Sequence, residues 1–296
     1  MSTVASASIR ASTHAPQPSS PSHEAFASAT ARAAIRALYE EVVIAPKPGL
    51  VTRDDCGSHR DMDASTFVRS LFSLRHYFAQ ATRCGQGDAA FADLQRAGLA
   101  AERRMLVATG GVNTHRGAIF SLGLLAAGAG ALHARGRALD AAAICETVAR
   151  RYGPDILASA ATAPPSHGML VTARYGIAGA RDMAAAGYPL LRRVAVPTLD
   201  RFIAFGYPRS VAAVQTLFAV MAVLDDTNVF YRGGRSGMDF VKRASVAFLS
   251  AGGVRAPAWH RHAMTIHRRF VERNLSPGGA ADMLAAALFL NALREA

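Results

Sequence analysis

The chain has 296 residues, 51% hydrophobic and only 7% aromatic, so it is long enough to bury a core built largely from alanine and leucine. Its 33 lysines and arginines against 21 acidic residues give a net charge of +12, which suits a polyanionic partner. The three cysteines form no CxxC pair. This excludes a disulfide framework or a zinc knot and indicates a reducing compartment, so we expect a cytoplasmic protein.

The arginines are spread along amphipathic segments and are not concentrated in a stripe with aromatic residues. We therefore expect no nucleic-acid partner. The most apolar run, residues 118–132, is shorter than the ~20 residues that a membrane span needs. It is interpreted as a buried central helix, and no membrane partner is expected.

Residues 1–22 are rich in Ser, Ala, Thr and Pro, and Arg10 is the one residue among them that is charged at neutral pH. This composition predicts a disordered leader. Residues 23–296 are predicted to form a single all-α domain, because alternating strand patterns are absent. Apolar residues at helical spacing predict helices over 25–44, 64–81, 89–107, 118–132, 139–152, 209–224, 238–251 and 280–293, with another starting at Pro197.

Two loops before residue 64 carry candidate site residues. Pro46 and Pro48 restrict the backbone around Lys47 and hold it in an extended turn. The following loop mixes carboxylate, imidazole and guanidinium groups, and includes His59 and Asp61. Asp63 is predicted to be the N-cap of the next helix, which leaves Asp61 as the more interesting acid.

A glycine-rich turn at residues 109–117 precedes the apolar helix. Gly110 and Gly111 allow a tight turn that comes close to a ligand, and Asn113 or Thr114 can cap the helix that follows. His115 and Arg116 add two donors at the positive end of the helix dipole. This combination predicts an anion site, although an ordinary capped turn entering a buried helix has the same pattern.

Two further glycine-rich turns resemble the first. Arg232, Gly233 and Gly234 precede the predicted helix at 238–251, and the Ser276-Pro277-Gly278-Gly279 turn precedes the helix at 280–293. Three glycine corners are thus each expected to open a helix, and two of them carry arginine.

Carboxylates accompany these turns. Asp226 follows the predicted helix 209–224, and a carboxylate at a helix C-terminus is unfavourable unless a cation compensates it. Mg²⁺ would do so, and so would solvent or pairing with Arg232. Asp282 lies just inside the last helix, where an acidic residue is favoured in any case.

Five runs together resemble the triphosphoribosyl-dephospho-coenzyme A synthase family. They are PKPGLV at 46–51, GSHRDMD at 57–63, TGGVNTHRGAIFSLGLL at 109–125, DTNVFYRGG at 226–234 and NLSPGGAADMLA at 274–285. Two positions depart from the family pattern. Arg181 is followed by Asp182 and Met183 where the family usually has Gly-Glu, and Ala280 stands where it usually has Ser.

The resemblance implies an activity. ATP and 3′-dephospho-coenzyme A would give 2′-(5″-triphosphoribosyl)-3′-dephospho-coenzyme A and adenine, by pentosyl transfer with the triphosphate intact. The product serves the acyl-carrier subunit of malonate decarboxylase or citrate lyase through a holo-acyl-carrier-protein synthase, and we favour malonate. A homodimer is compatible with the apolar helices.

Motif position suggests the roles. Asp226 and Asp282, with Asp61 as a third candidate, would hold Mg²⁺. Glu102 or Glu41 would be the base or the acid that stabilises the ribose, with His59 or His115 assisting proton transfer. The triphosphate would be bound by Lys47, Gly110, Gly111, Asn113, Thr114, Arg116, Arg232, Gly233, Gly234, Ser276, Gly278 and Gly279.

Two other classes of function stay open at this point. One is a different magnesium-dependent nucleotide enzyme, such as a phosphohydrolase or a nucleotidyltransferase. The other is a non-enzymatic basic module that binds RNA or an acidic protein.

Overall fold

The computed structural model of the chain describes residues 21–162 and 167–294, and this part is helical without strands. The all-α prediction is confirmed. The helices are α1 Pro21–Val43, α2 Ala64–Leu74, α3 Tyr77–Gln86, α4 Phe91–Ala108, α5 Arg116–His133, α6 Ala141–Thr162, α7 His167–Tyr175, α8 Ala180–Ala185, α9 Val196–Ala204, α10 Arg209–Met221, α11 Thr227–Ser250, α12 Trp259–Glu272 and α13 Gly278–Arg294. A π-helical turn, Leu191–Ala195, leads into α9, and a 3₁₀ turn, Gly253–Arg255, precedes α12.

The first helix begins inside the predicted leader. Residues 1–20 lie outside the described residues, so the prediction of disorder there stays a prediction. Pro21 nevertheless starts α1, two residues before residue 23, where the domain was predicted to begin. A proline suits the first helical position because its fixed φ matches the helix and its missing N–H would have no partner there.

The predicted helix over 64–81 is two helices. It breaks at Arg75 and His76, between α2 and α3. The two pieces have different neighbours, since α2 packs on α4 and α1 whereas α3 packs mainly on α5 and α1. Asp63 caps α2 as predicted, because its side chain accepts the backbone N–H of Thr66 at 2.8 Å.

Helix α5 is the central helix of the fold. Every residue from Ser121 to Leu132 is buried, and α5 packs against α3, α6, α13 and α4. Small residues allow this close packing, because a Cβ atom at Gly130 would lie 2.2 Å from the carbonyl oxygen of Thr82 in α3. Within the described residues, no helix is both long and apolar enough to cross a membrane.

Candidate active site

The N-termini of α11 and α13 are joined by one buried carboxylate. Asp226 accepts the backbone N–H of Asn228 in α11 and that of Ala280 in α13, both at 2.9 Å. Gly279 leaves room for this contact, since a Cβ atom there would lie 3.0 Å from Asp226 Oδ2. Asp226 therefore caps two helices at once.

This position corrects the expectation for Asp226. Helix α10 ends at Met221, and Asp226 is the N-cap of α11 and does not follow a helix C-terminus. At an N-terminus the helix dipole stabilises a carboxylate, so Asp226 needs no cation on that account. Burial raises the pKa of its carboxyl group, while the backbone N–H groups that it accepts oppose that shift.

The N-terminus of α5 lies beside those of α11 and α13, and its first turn contacts Asp282. A Cβ atom at Gly117, in the first turn of α5, would lie 2.0 Å from Asp282 Oδ2. No hydrogen bond joins the Asp282 carboxyl group to the residues that the structure describes. Burial raises its pKa well above the usual range, and the charges of Glu41 and Asp226 add to that shift. Three helix N-termini thus meet around three carboxyl groups.

Lys47 supplies a positive charge beside this carboxyl cluster, which we define as Glu41, Asp226 and Asp282. Its side chain is 1% exposed, and its ammonium donates to the carbonyl oxygen of Glu41 at 2.5 Å and to Oε1 of Glu41 at 2.6 Å. Burial lowers the pKa of the ammonium, against the favourable charge of Glu41. Lys47 is therefore paired with Glu41 and is not a free surface cation, and its predicted contact with triphosphate stays a prediction.

His115 is buried under the start of α5. Its Nδ1 lies 2.6 Å from Ser70 Oγ, and Thr114 Oγ1 donates to the same Ser70 oxygen at 2.8 Å. Burial, with a further contribution from the charge of Lys47, lowers the pKa of His115 to about 3. The imidazole is therefore neutral at physiological pH and is a poor proton acceptor.

The first glycine corner is open, as expected for a turn that approaches a ligand. Gly110 and Gly111 have φ angles of 66° and 91°, and no atom lies within 4 Å of the position of a Cβ at either residue. Asn113 Oδ1 accepts the Arg116 backbone N–H at 3.2 Å. The N-cap position itself is held by His115, whose side chain makes no capping hydrogen bond, so neither Asn113 nor Thr114 is the N-cap that the sequence predicted. Arg116 in turn donates to Glu102 Oε1 at 2.5 Å.

The second glycine corner differs from the prediction. Helix α11 does not begin after the glycines at residue 238, but at Thr227, and it bends at Gly234, where φ is 61° and ψ is −160°. A Cβ atom at Gly233 would lie 2.5 Å from a methyl carbon of Leu275. The space that a side chain would take at Gly233 is therefore filled by Leu275, and the predicted binding of triphosphate by Gly233 stays a prediction.

Arg232 holds this region together. Its Nη1 donates to the carbonyl oxygen of Ser58 at 2.9 Å and to Asn274 Oδ1 at 2.8 Å, and its Nη2 lies 3.2 Å from His59 Nδ1. Because a guanidinium only donates, His59 Nδ1 accepts. Nε2 of His59 then carries the proton and donates to Ser276 Oγ at 2.8 Å. Arg232, His59 and Ser276 form a clasp between the 57–61 loop, α11 and the start of α13.

The side chains of the clasp are already hydrogen-bonded within the protein, and their predicted roles toward the substrate stay predictions. Both ring nitrogens of His59 are bound within the protein, and burial together with the charge of Arg232 lowers its pKa. Asp61 is largely exposed and its Oδ1 lies 3.6 Å from His59 Nδ1. Of the predicted metal ligands, Asp226 and Asp282 come together, and the third carboxyl group with them is Glu41, whereas Asp61 lies beside the clasp.

The third glycine corner opens α13 at Gly278, close to the predicted start at residue 280. A Cβ atom at Gly278 would lie 2.9 Å from Asn228 Nδ2, so this glycine pair makes room for Asn228 and Asp226. Sequence reasoning missed Asn228 and Ser70, which lie next to predicted residues in space. A cleft of about 730 Å³ lies elsewhere, between α1 and the α2–α3 pair, and none of the predicted site residues lines it.

Comparison with known proteins agrees with the site motifs. Residues 27–296 match the family described as ATP:dephospho-CoA triphosphoribosyl transferase. The chain belongs to this family. No solved structure matched the chain.

Three curated relatives cover most of the chain. A probable 2-(5″-triphosphoribosyl)-3′-dephosphocoenzyme-A synthase from Acinetobacter calcoaceticus is 39% identical over 86% of this chain and 87% of its own length. The synthase of that name from Klebsiella pneumoniae is 39% identical over 87% of this chain and 88% of its own. A probable synthase of the same name from Pseudomonas putida is 39% identical over 93% of this chain and 98% of its own length. The chain is therefore an enzyme of the transferase class.

The carboxyl cluster of this transferase fits Mg²⁺ delivered with a nucleotide. Within the described residues, no group of three His, Cys, Asp or Glu side chains is arranged to hold a metal ion by itself. Mg²⁺ usually takes one or two carboxylates and completes its coordination with phosphate oxygens and water. Asp282, with its raised pKa and no hydrogen-bond donor among the described residues, is the group that would gain most from a cation.

Proposed function

We propose that the chain transfers the 5-triphosphoribosyl group of ATP to the 2′-hydroxyl of 3′-dephospho-coenzyme A and releases adenine. The family match over residues 27–296 carries this proposal. The bond between adenine N9 and ribose C1′ breaks, and a bond between C1′ and the acceptor oxygen forms. The acceptor hydroxyl loses its proton, and the departing adenine gains one. No phosphate bond breaks, and the triphosphate therefore remains on the transferred ribose.

The structure supports a division of the site into two parts. The open corner at Gly110 and Gly111, with the N-terminus of α5 and Arg116 behind it, suits an anionic triphosphate. The carboxyl cluster lies at the same end of α5, through the contact of Asp282 with Gly117. Holding both reactants at one helix end would convert a bimolecular step into a positioned one.

Positive charge develops on the ribose as the glycosidic bond lengthens. A buried carboxylate near C1′ stabilises such an oxocarbenium-like state, as in glycoside hydrolysis. Glu41 suits this role better than Glu102 does, because it is 6% exposed and belongs to the carboxyl cluster. Glu102 is partly exposed beside Arg116, which suits acceptance of the hydroxyl proton.

Magnesium would enter this site with ATP. Asp282 would hold it, together with Asp226 or Glu41, and the ion would neutralise the triphosphate. The carboxyl cluster carries more acidic groups than the single ammonium of Lys47 balances, and a divalent cation would offset that excess.

The pathway assignment is the finer part of the proposal. We propose that the product supplies the prosthetic group of a malonate decarboxylase acyl-carrier protein, after transfer by a holo-acyl-carrier-protein synthase. Citrate lyase would need the same product. Deleting the enzyme in its host and measuring the masses of both carrier subunits distinguishes the two pathways, because only the carrier that this enzyme supplies would stay in its apo form.

The activity itself is tested by product analysis. The purified chain is incubated with MgATP and 3′-dephospho-coenzyme A, and the mixture is examined by mass spectrometry. We expect free adenine and the ribosylated coenzyme in equal amounts. A phosphohydrolase or nucleotidyltransferase would instead release phosphate or pyrophosphate with the purine still attached, and that outcome would replace this proposal.

A further inference from the structure

The Nδ1 side of the buried His115 ring is linked to two hydroxyl groups in sequence, first that of Ser70 and then that of Thr114. Ser70 lies on α2 and is fully buried, and Thr114 lies in the turn before α5. Thr114 Oγ1 donates to Ser70 Oγ at 2.8 Å, and Ser70 Oγ lies 2.6 Å from His115 Nδ1. The three side chains form one hydrogen-bonded chain that joins α2 to the start of α5.

The direction of this chain determines which ring nitrogen carries the proton. A hydroxyl has one proton to donate, and Ser70 Oγ already accepts from Thr114. Among the described residues, Ser70 Oγ has no other acceptor within hydrogen-bond distance, so its own proton points to His115 Nδ1, which accepts it. In a neutral imidazole the proton consequently sits on Nε2.

Nε2 of His115 has no hydrogen-bond partner in the part of the chain that the structure describes. His115 is 3% exposed, so this nitrogen is shielded from solvent until a ligand reaches the start of α5. A buried N–H without an acceptor is unfavourable, and such groups commonly mark functional positions. The ring also lies near the Lys47 ammonium and the positive end of α5, an environment that favours an anionic acceptor over a cationic one.

We propose that Ser70 and Thr114 are positioning residues that hold His115 in its Nε2–H form, so that it donates a hydrogen bond to a phosphate oxygen of the bound nucleotide. This inference rests on the proposed function for the identity of the ligand. It replaces proton transfer by His115 with hydrogen-bond donation by a neutral ring. In this role Ser70 and Thr114 act through His115.

The tautomer is measured directly by ¹⁵N–¹H NMR of the histidine rings in the full chain without substrate. The His115 signals are assigned by their loss in His115→Gln. We expect wild type to show Nε2 protonated and Nδ1 bare. We expect Ser70→Ala and Thr114→Val to give a mixture of tautomers, and Thr114→Ser, which keeps the hydroxyl, to restore the wild-type pattern.

Ser73→Ala is the matched control. Ser73 is on the same helix and donates to the Ser70 carbonyl oxygen, without a hydrogen bond to the His115 ring. It should leave the His115 signals unchanged. A protonated Nδ1 in wild type, or an unchanged tautomer in Ser70→Ala, would overturn the proposal.

Kinetics test the donor role separately. Glutamine can place an N–H near the position of Nε2, whereas asparagine is too short, so His115→Gln should keep more activity than His115→Asn. Ser70→Ala should lower kcat/KM about tenfold, the scale of one hydrogen bond. Equal losses in His115→Gln and His115→Asn would contradict donation from Nε2. Because the NMR measurement needs no turnover, its failure is distinct from a failure to release adenine.

Discussion

Replacing His115 with glutamine should make the folded protein less sensitive to acid. The imidazole is buried with a pKa of about 3, against 6.5 for an exposed histidine. Between these two values the unfolded chain binds a proton that the native protein does not. Stability therefore falls as the pH drops through 6.5 and continues to fall toward 3.

The size of the effect follows from the two pKa values. Each unit of difference corresponds to about 1.4 kcal/mol, so complete titration would cost about 5 kcal/mol. At about pH 5 the unfolded histidine is almost fully protonated while His115 is not, and the cost is about 2 kcal/mol relative to neutral pH. This is a large fraction of the stability of an ordinary domain.

The assay is urea unfolding followed by helical circular dichroism, at neutral pH and at about pH 5. Wild type should lose about 2 kcal/mol more of its unfolding free energy on acidification than His115→Gln does. Other titrating groups, including His59, Asp226 and Asp282, contribute to both proteins and cancel in this comparison. His260→Gln, at an exposed position on α12, should retain the wild-type dependence. An equal loss in wild type and His115→Gln would refute the assignment of His115 as a buried neutral ring.

Three other substitutions, with Gly110→Ala as a control, test the site. Asp226→Ala should lower the free energy of unfolding, measured in urea, by roughly 2–4 kcal/mol, because it removes the acceptor of two backbone N–H groups. A loss below about 0.5 kcal/mol would contradict the capping of two helices by Asp226. Asp282→Asn should unfold at the wild-type temperature or higher, since it removes like-charge repulsion within the carboxyl cluster. The same variant should abolish the Mg²⁺ dependence of ATP binding measured by calorimetry. If that dependence is retained, Asp282 does not belong to the metal site. Gly117→Ala should lower activity at least about tenfold, because its Cβ would lie 2.0 Å from Asp282 Oδ2. A Cβ at Gly110 meets no atom, so Gly110→Ala should reduce activity less. A larger loss in Gly110→Ala than in Gly117→Ala would contradict the geometry.

The sequence predicted the features that depend on local chemistry. Helical spacing predicted α1, α4, α5, α10 and α13 to within a few residues, and Asp63 caps α2 as predicted. The open turn at Gly110 and Gly111 also has the positive φ angles that adjacent glycines indicate. In each case the partners are a few residues apart, so the pattern is visible in one short window of sequence.

The features that the sequence did not predict depend on distant partners. Gly233 is packed by Leu275, which is 42 positions later, and Asp226 accepts from Ala280, which is 54 positions later. Short-range rules therefore missed the packing of Leu275 on Gly233 and assigned Asp226 to a helix C-terminus. Ser70 belongs to no motif, and only the packing of α2 on the start of α5 brings it to His115.

The carboxyl cluster has the same origin. Glu41 and Asp282 are assigned to different roles by their local motifs, and the fold brings them close enough for the charge of one to raise the pKa of the other. Asp61 is in an equally suggestive motif but lies beside His59. Which acidic residues share a site is decided by tertiary structure, and sequence spacing alone does not distinguish them.

The central claim is that the ribose of ATP, and not its phosphates, is the reacting part. A direct measurement uses ATP labelled with ¹⁴C in the purine and ³²P in the γ-phosphate, incubated with the enzyme, Mg²⁺ and 3′-dephospho-coenzyme A. The account predicts that ¹⁴C leaves as free adenine while ³²P moves to the coenzyme product in equal amount. If ³²P appears as phosphate or pyrophosphate, or if both labels stay on one nucleotide, the account is wrong.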